Sequence, residues 1–220
     1  MILFFSDSIV AMKSLLSIAD IQRGSHLLRE AQGSPRLDLK RLRGCLTEFS
    51  TQWGHPSMTL ALDLVAQTQR AGEPVAWLGG KNSLFYPPDA ARWRLDWSAL
   101  ALIRLETADL LLKSADKLLR SGAFGLVVLD FVGLATGDLF DGLLGRLLRL
   151  AETHESAVLF LTQRAENTPS ISSLISLRAH LQWRHLQDDR LQANLTIIKD
   201  KRRGPGRRFQ EVYDGPMGLR

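Results

Sequence analysis

At 220 residues, 45% apolar and 23% charged, the chain has the length and composition of one globular domain with its own hydrophobic core. No apolar run approaches the roughly 20 residues of a membrane-spanning helix. The single cysteine, Cys45, excludes an intrachain disulfide and a cysteine-based metal cluster. The net charge is +5, and residues 199–208 alone carry six basic side chains against one acidic one.

The first residues do not have the pattern of a secretory signal. Residues 2–5 are apolar, but no basic segment precedes them and Asp7 follows closely. Met12 is an alternative start. The sequence therefore predicts a cytoplasmic protein with no membrane association, in which residues 1–44 form an N-terminal helical arm, residues 45–215 the core domain and residues 216–220 a tail.

From Cys45 onward, apolar runs alternate with stripes of helical spacing. The runs predict strands at residues 45–50, 75–78, 100–105, 125–130 and 157–161. The stripes predict helices at residues 57–71, 107–120, 139–152 and 172–178. A late β-rich section follows, with strands at residues 180–185, 191–199 and 209–213. Such alternation predicts an α/β fold: a mostly parallel central sheet flanked by helices, with a C-terminal β-rich extension at one edge.

Four strings, in this order, carry a family resemblance. They are the strand and helix of residues 46–70, LLRSGAFGLVVLD at residues 118–130, FLTQ at residues 160–163 and IIKDK at residues 197–201. Together they resemble the core of the RecA recombinases, over a stretch from about Cys45 to Gly215. The resemblance implies a RecA-like core with a phosphate-binding loop after its first strand.

That loop lacks the residues its chemistry requires. The pattern Gly-x4-Gly-Lys-Ser/Thr falls on residues 51–58, TQWGHPSM, with Thr51 and Pro56 in the two glycine positions. Pro56 has no N–H to offer a phosphate. Ser57 stands in place of the lysine that neutralises the phosphates, and Met58 in place of the hydroxyl that binds magnesium. The sequence predicts a degenerate nucleotide site without a nucleotide cofactor or a metal.

Three further positions belong to this predicted site. Lys81 occupies the place of the glutamate that activates water, and a charged lysine is not a base. Asp130 remains at the end of its strand, either as a magnesium-associated acid or as a relic that caps the next turn. Gln163 resembles the nucleotide-sensing glutamine of the family. We therefore expect no enzymatic activity and assign no catalytic residue.

Among RecA-like proteins without a nucleotide, the chain resembles the ImuA family, accessory proteins of the bacterial mutasome. The string RGCLTEF at residues 43–49 carries this resemblance. It implies a non-catalytic adaptor in damage-induced, error-prone translesion synthesis, with an ImuB-type pseudo-polymerase, an error-prone replicative-type polymerase and RecA as partners. The alternatives are a SulA-like inhibitor of the tubulin-like division protein and a DNA-binding mediator that modulates RecA.

Basic residues after the late strand are the candidate DNA contacts. They are Lys199, Lys201, Arg202, Arg203, Arg207 and Arg208, with Arg164 in the loop after the fifth strand. Glycines around Pro205 predict a flexible arm that follows a phosphate backbone without sequence specificity. The competing interpretation is a solvated basic loop. The N-terminal arm is a candidate for self-association or for docking a partner.

Overall fold

The computed structural model describes residues 37–52, 56–81, 83, 85, 87–134, 141–186 and 190–214. Residues 1–36 of the predicted N-terminal helical arm and the predicted tail at residues 216–220 lie outside these residues. The following description concerns the unit that residues 38–220 form.

Eight strands and three α-helices make up the described part of this unit. The strands are β1 Cys45–Thr51, β2 Val75–Gly80, β3 Leu100–Leu105, β4 Leu126–Asp130, β5 Ala157–Gln163, β6 Leu177–His185, β7 Arg190–Asp200 and β8 Arg208–Asp214. The helices are α1 Pro56–Arg70, α2 Ala108–Arg120 and α3 Asp141–Thr153. Short 3-10 helices lie at Leu39–Arg41, Pro87–Trp93 and Trp97–Ala99. Within these ranges, no helix has the length and apolar character needed to cross a bilayer.

All eight strands belong to one sheet, in the order β3-β2-β4-β5-β1-β6-β7-β8. The six strands from β3 to β6 run parallel, whereas β7 and β8 are added antiparallel beyond β6. This arrangement confirms the predicted α/β class, with the β-rich extension at one edge. Parallel strands place all their carboxyl ends at one edge of the sheet, so β2, β4, β5 and β1 end side by side.

The core lies on both faces of the central strands. On one face α2 and α3 pack leucines such as Leu111 and Leu144 against Val127, Val158 and Phe160, all buried. The other face carries α1, which contacts β1, β2 and β4 to β6. Strands covered on both faces need a nearly continuous apolar sequence. This requirement explains why the continuous runs at β4 and β5 predicted their strands correctly.

The predicted helix at residues 172–178 is wrong. Turns occupy residues 172–176, and β6 begins at Leu177. The Ser172 hydroxyl accepts a hydrogen bond from the Leu174 amide at 3.1 Å, and the Ser176 amide donates to the Leu46 carbonyl at 2.8 Å. Apolar spacing over seven residues fits both a short helix and a turn that leads into a strand, and the contact with β1 decides between them.

Candidate functional site

The turn between β1 and α1 is where a RecA-like core would hold a phosphate. Strand β1 ends at Thr51 and α1 begins at Pro56. Pro56 and Ser57 are buried, and Met58 is half-buried. A helix N-terminus binds anions through its free N–H groups and a nearby cation. Here the first helical residue has no N–H, and neither Ser57 nor Met58 brings a positive charge.

Asp130, at the end of β4, is fully buried and held on both carboxylate oxygens. The Ser83 hydroxyl donates to Oδ2 at 2.6 Å, and the Val132 amide donates to Oδ1 at 3.1 Å. The carboxylate therefore caps the turn that follows β4 and anchors the segment that follows β2. Both contacts stabilise the chain at the carboxyl ends of β4 and β2.

The segment after β2 lies against Asp130. Arg104 of β3 donates to the carbonyls of Gly80, Ser83 and Phe85 at 3.0–3.3 Å. Any side chain on Gly79 would place its Cβ 2.8 Å from the Ser83 Cβ, so glycine is needed for this close approach. Lys81 is the first residue after β2, and its Nζ lies 2.5 Å from Oε1 of Glu106. Both side chains are exposed, so the pair is a surface ion pair.

Gln163 ends β5 directly opposite Thr51, the last residue of β1, and its side chain is exposed. The predicted site residues therefore lie at the ends of four adjacent strands, β2, β4, β5 and β1. The structure brings them to one edge, and the cation among them, Lys81, pairs with Glu106. Across the described part of the chain, no group of three or more His, Cys, Asp or Glu side chains is arranged to hold a metal ion.

Beneath this edge lies a buried polar cluster that sequence reasoning missed. Glu48 and Arg178, on the paired strands β1 and β6, are both at least 99% buried, with Oε1 and Nε 3.8 Å apart. Glu48 also accepts from the Thr162 hydroxyl at 2.8 Å and from the Ile171 amide at 3.1 Å. In the sequence, the alternating polar residues Glu48 and Ser50 within an otherwise apolar strand could have indicated this cluster.

Arg178 fastens the loop that follows β5. Its Nη2 donates to the Ala165 carbonyl at 2.8 Å, and its Nη1 donates to the Thr168 carbonyl. Burial lowers the pKa of Arg178, although the charge of Glu48 acts in the opposite direction. With Glu48 holding Ile171 and Arg178 holding residues 165 and 168, this loop is tied to the sheet at both ends.

His180 completes the cluster, with Nδ1 3.2 Å from the Ser50 hydroxyl. Burial lowers the pKa of His180, with the positive charge of Arg178 acting in the same direction and Glu166 opposing it, so the imidazole is neutral at neutral pH. Its Nε2 is buried and has no hydrogen-bond partner among the described residues. A nucleophilic serine needs a histidine oriented by a third group and access to a substrate. The buried contact between Ser50 and His180 therefore has a structural role.

The basic residues after β7 form a hairpin connection, not the flexible arm that the glycines predict. Asp200 Oδ1 accepts from the backbone amides of Arg202 and Arg203 at 2.9 and 3.0 Å. Gly204 and Gly206 have φ of +77° and +96°, and their amides donate to the carbonyls of Asp200 and Ile197. In this turn the glycines provide left-handed backbone conformations. We name residues 199–208 the basic hairpin.

Some of the predicted DNA contacts are exposed, whereas others already interact with groups of the protein. Lys201, Arg202, Arg203 and Arg208 are exposed. Arg207 forms an ion pair with Asp200. Lys199 donates to the Ser173 carbonyl at 3.2 Å, and burial lowers its pKa. Arg164 lies in the loop after β5, where its Nε donates to the Pro169 carbonyl at 3.2 Å, and so it is not grouped with the basic hairpin.

No family model matches the chain. It is similar to the RecA proteins of Corynebacterium pseudotuberculosis, at 37% identity over 103 residues, and of Corynebacterium diphtheriae, at 34% over 119 residues. These similarities support a place in the RecA superfamily. They cover 42% and 50% of this chain and 27% and 32% of the two relatives, so the chain matches about a third or less of their length. A third RecA protein, from Corynebacterium jeikeium, is 32% identical over 130 residues. The mostly parallel, helix-flanked sheet is consistent with a RecA-like core.

Proposed function

We propose that this chain is a non-catalytic, RecA-like adaptor in damage-induced, error-prone translesion DNA synthesis. It binds mutasome partners and, through the basic hairpin, DNA, and it neither binds nor hydrolyses ATP. The observation that carries the proposal is the turn between β1 and α1, where Pro56, Ser57 and Met58 replace the phosphate-binding residues of a RecA-like site.

The chemistry of this edge argues against nucleotide turnover in three independent ways. The turn provides no lysine for the phosphates. The Asp130 carboxylate accepts hydrogen bonds from Ser83 and Val132 and so serves as a cap for the turn after β4. Lys81 pairs with Glu106 where a water-activating glutamate would stand. A RecA-like scaffold that keeps its sheet without this chemistry serves as a surface for partners.

The first test is a nucleotide titration. We expect a dissociation constant for ATP above about 1 mM, a binding free energy weaker than roughly 4 kcal/mol, because no cation or magnesium ligand offsets the phosphate charge. Isothermal calorimetry with magnesium, run beside an active RecA protein, measures it. Micromolar affinity with magnesium-dependent ATP turnover would contradict the proposal.

The second test concerns the partner. We expect the chain to co-purify with an ImuB-type pseudo-polymerase and an error-prone replicative-type polymerase when these are co-expressed, and not with the tubulin-like division protein. Each candidate is expressed separately with the tagged chain, and bound protein is quantified after a salt wash. Retention of the division protein alone would favour the SulA-like alternative, and retention of RecA alone would favour a mediator of RecA.

The basic hairpin favours a nucleic-acid role over inhibition of a division protein. Its exposed cations Lys201, Arg202, Arg203 and Arg208 would bind DNA phosphates with release of counterions, a contribution to affinity that inhibition of a division protein does not require. Because such contacts are to phosphates, they would bring little sequence specificity. This is the behaviour expected of an adaptor that works at lesions in any sequence.

A further inference from the structure

The basic hairpin lies at the amino ends of the parallel strands, away from the degenerate nucleotide site. Asp200 pairs with Leu177, the first residue of β6. The Lys201 amide donates to the Ser176 carbonyl at 2.9 Å, and the Ser176 amide donates to the Leu46 carbonyl near the start of β1. A strand of seven residues such as β1 spans about 20 Å. The two edges are therefore separated by the full height of the sheet.

Arg41 reaches the hairpin from a distant part of the sequence. It ends the 3-10 helix Leu39–Arg41 before β1, and its Nη2 lies 3.9 Å from Oδ2 of Asp200. The same Oδ2 binds the Arg207 guanidinium, while Oδ1 accepts from the amides of Arg202 and Arg203. Two guanidinium groups thus share one carboxylate oxygen, and a third, on Arg203, lies close by.

The electrostatics of Arg41 reflect this crowding. Burial is the largest cause that lowers the pKa of Arg41, and the positive charges of Arg203 and Arg207 lower it further. The negative charges of Asp200 and Asp38 act in the opposite direction. Like charges held together by the fold repel each other, and a bound anion relieves that repulsion. The Nε of Arg207 is buried and has no hydrogen-bond partner among the described residues.

A neutralised arginine marks where the positive region ends. Arg43 lies two residues from Arg41, but its Nη2 is 2.5 Å from Oε2 of Glu73, and its Nη1 donates to the Glu155 carbonyl at 2.9 Å. Within the described residues, Arg202, Arg203 and Arg208 form no such ion pair with a carboxylate. The positive region therefore comprises Arg41 and the basic hairpin, beside the amino end of β6.

We propose that Arg41 and the basic hairpin form one continuous surface that binds the phosphate backbone of nucleic acid, at the edge of the sheet opposite the loops after β4 and β5. Guanidinium groups pair with phosphate oxygens in a bidentate manner. Asp200 holds the backbone amides of Arg202 and Arg203 and pairs with the guanidinium groups of Arg41 and Arg207. This inference rests on the proposed function, because it assumes that DNA is a ligand. It adds Arg41 to the predicted DNA contacts and places the binding surface at the amino edge of the sheet.

The test measures binding to a fluorescently labelled single-stranded oligonucleotide of mixed sequence by anisotropy, over a series of salt concentrations. We expect Arg41→Gln to weaken binding several-fold and to reduce the slope of log affinity against log salt by about one. Arg41→Lys should keep most of the slope because it keeps the charge. The matched control is Lys81→Gln, which removes one exposed cation at the opposite edge and should change neither quantity.

The outcomes separate the inference from the proposed function. If the unmodified chain does not bind the oligonucleotide, DNA binding itself is wrong. If it binds and Arg41→Gln behaves like Lys81→Gln, with melting curves showing both variants folded, only the inference is overturned. Tighter binding to vesicles containing phosphatidylserine than to the oligonucleotide at equal salt would overturn the assignment to nucleic acid.

Discussion

Replacing Arg178 by methionine is expected to lower the free energy of unfolding by about 3–5 kcal/mol, the largest effect on stability that we predict. The substitution leaves the Glu48 carboxylate fully buried without its cation. It also removes the hydrogen bonds that hold the carbonyls of Ala165 and Thr168. Methionine fills a similar volume, so little of the loss would come from a cavity. Urea denaturation followed by circular dichroism measures the change.

Two controls isolate the buried charge. The double variant Glu48→Gln with Arg178→Met removes the charge on both strands and should recover part of the loss, since an uncompensated buried ion is the costly state. Arg120→Met removes an arginine that also pairs with a carboxylate, Asp116, but whose side chain is 55% exposed, and it should change stability by less than about 1 kcal/mol. Equal losses for Arg178→Met and Arg120→Met would contradict the assigned role of Arg178.

Neutralising the exposed arginines of the basic hairpin is expected to have the largest effect on binding. The triple variant Arg202, Arg203 and Arg208 to glutamine should reduce the salt slope of DNA affinity by about three and lower affinity by at least about tenfold at low salt. Arg207 is kept because its ion pair with Asp200 holds the turn. Electrophoretic mobility shift or anisotropy at several salt concentrations measures both quantities.

A control with the same change in net charge tests whether position matters. Lys81, Lys113 and Arg149 are exposed and lie outside the hairpin, and their triple glutamine variant removes three positive charges elsewhere. We expect it to bind DNA nearly as the unmodified chain does. If both triple variants lose affinity equally, binding depends on net charge alone, and the interpretation of the hairpin as a solvated basic loop is preferred.

Together these predictions assign structural contacts to the carboxyl edge of the sheet and DNA binding to the amino edge. At the carboxyl edge, Ser83 and Val132 occupy the Asp130 carboxylate, and Arg178 and Glu48 tie down the loop after β5. At the amino edge, Asp200 arranges several arginines that it neutralises only in part. Among the described residues, internal hydrogen bonds thus engage Asp130 and the loop after β5 at the carboxyl edge, while the exposed arginines of the basic hairpin lie at the amino edge.

The sequence by itself predicted the class of fold, which the structure confirms, and a loss of phosphate chemistry, which stays a prediction. Strands such as β4 and β5 are covered on both faces and need nearly continuous apolar runs, so the sequence alone predicts these strands. The substitutions at Thr51, Pro56, Ser57 and Met58 are equally legible, because a phosphate-binding loop needs particular atoms at a fixed spacing. Apolar runs and loop motifs both involve residues that are close together in the sequence, so the sequence alone shows whether they are present.

Only the tertiary structure decided what the remaining polar residues do. Glu48 and Arg178 are separated by 130 positions in the sequence and meet because β1 and β6 pair in parallel. Arg41 joins the basic hairpin because the chain returns to the amino edge after β7. The glycines around Pro205 predicted a flexible arm. Instead, the Asp200 carboxylate accepts hydrogen bonds from the amides of Arg202 and Arg203, and this segment forms a turn. Contacts between distant segments depend on strand order and register, which apolar periodicity alone does not specify.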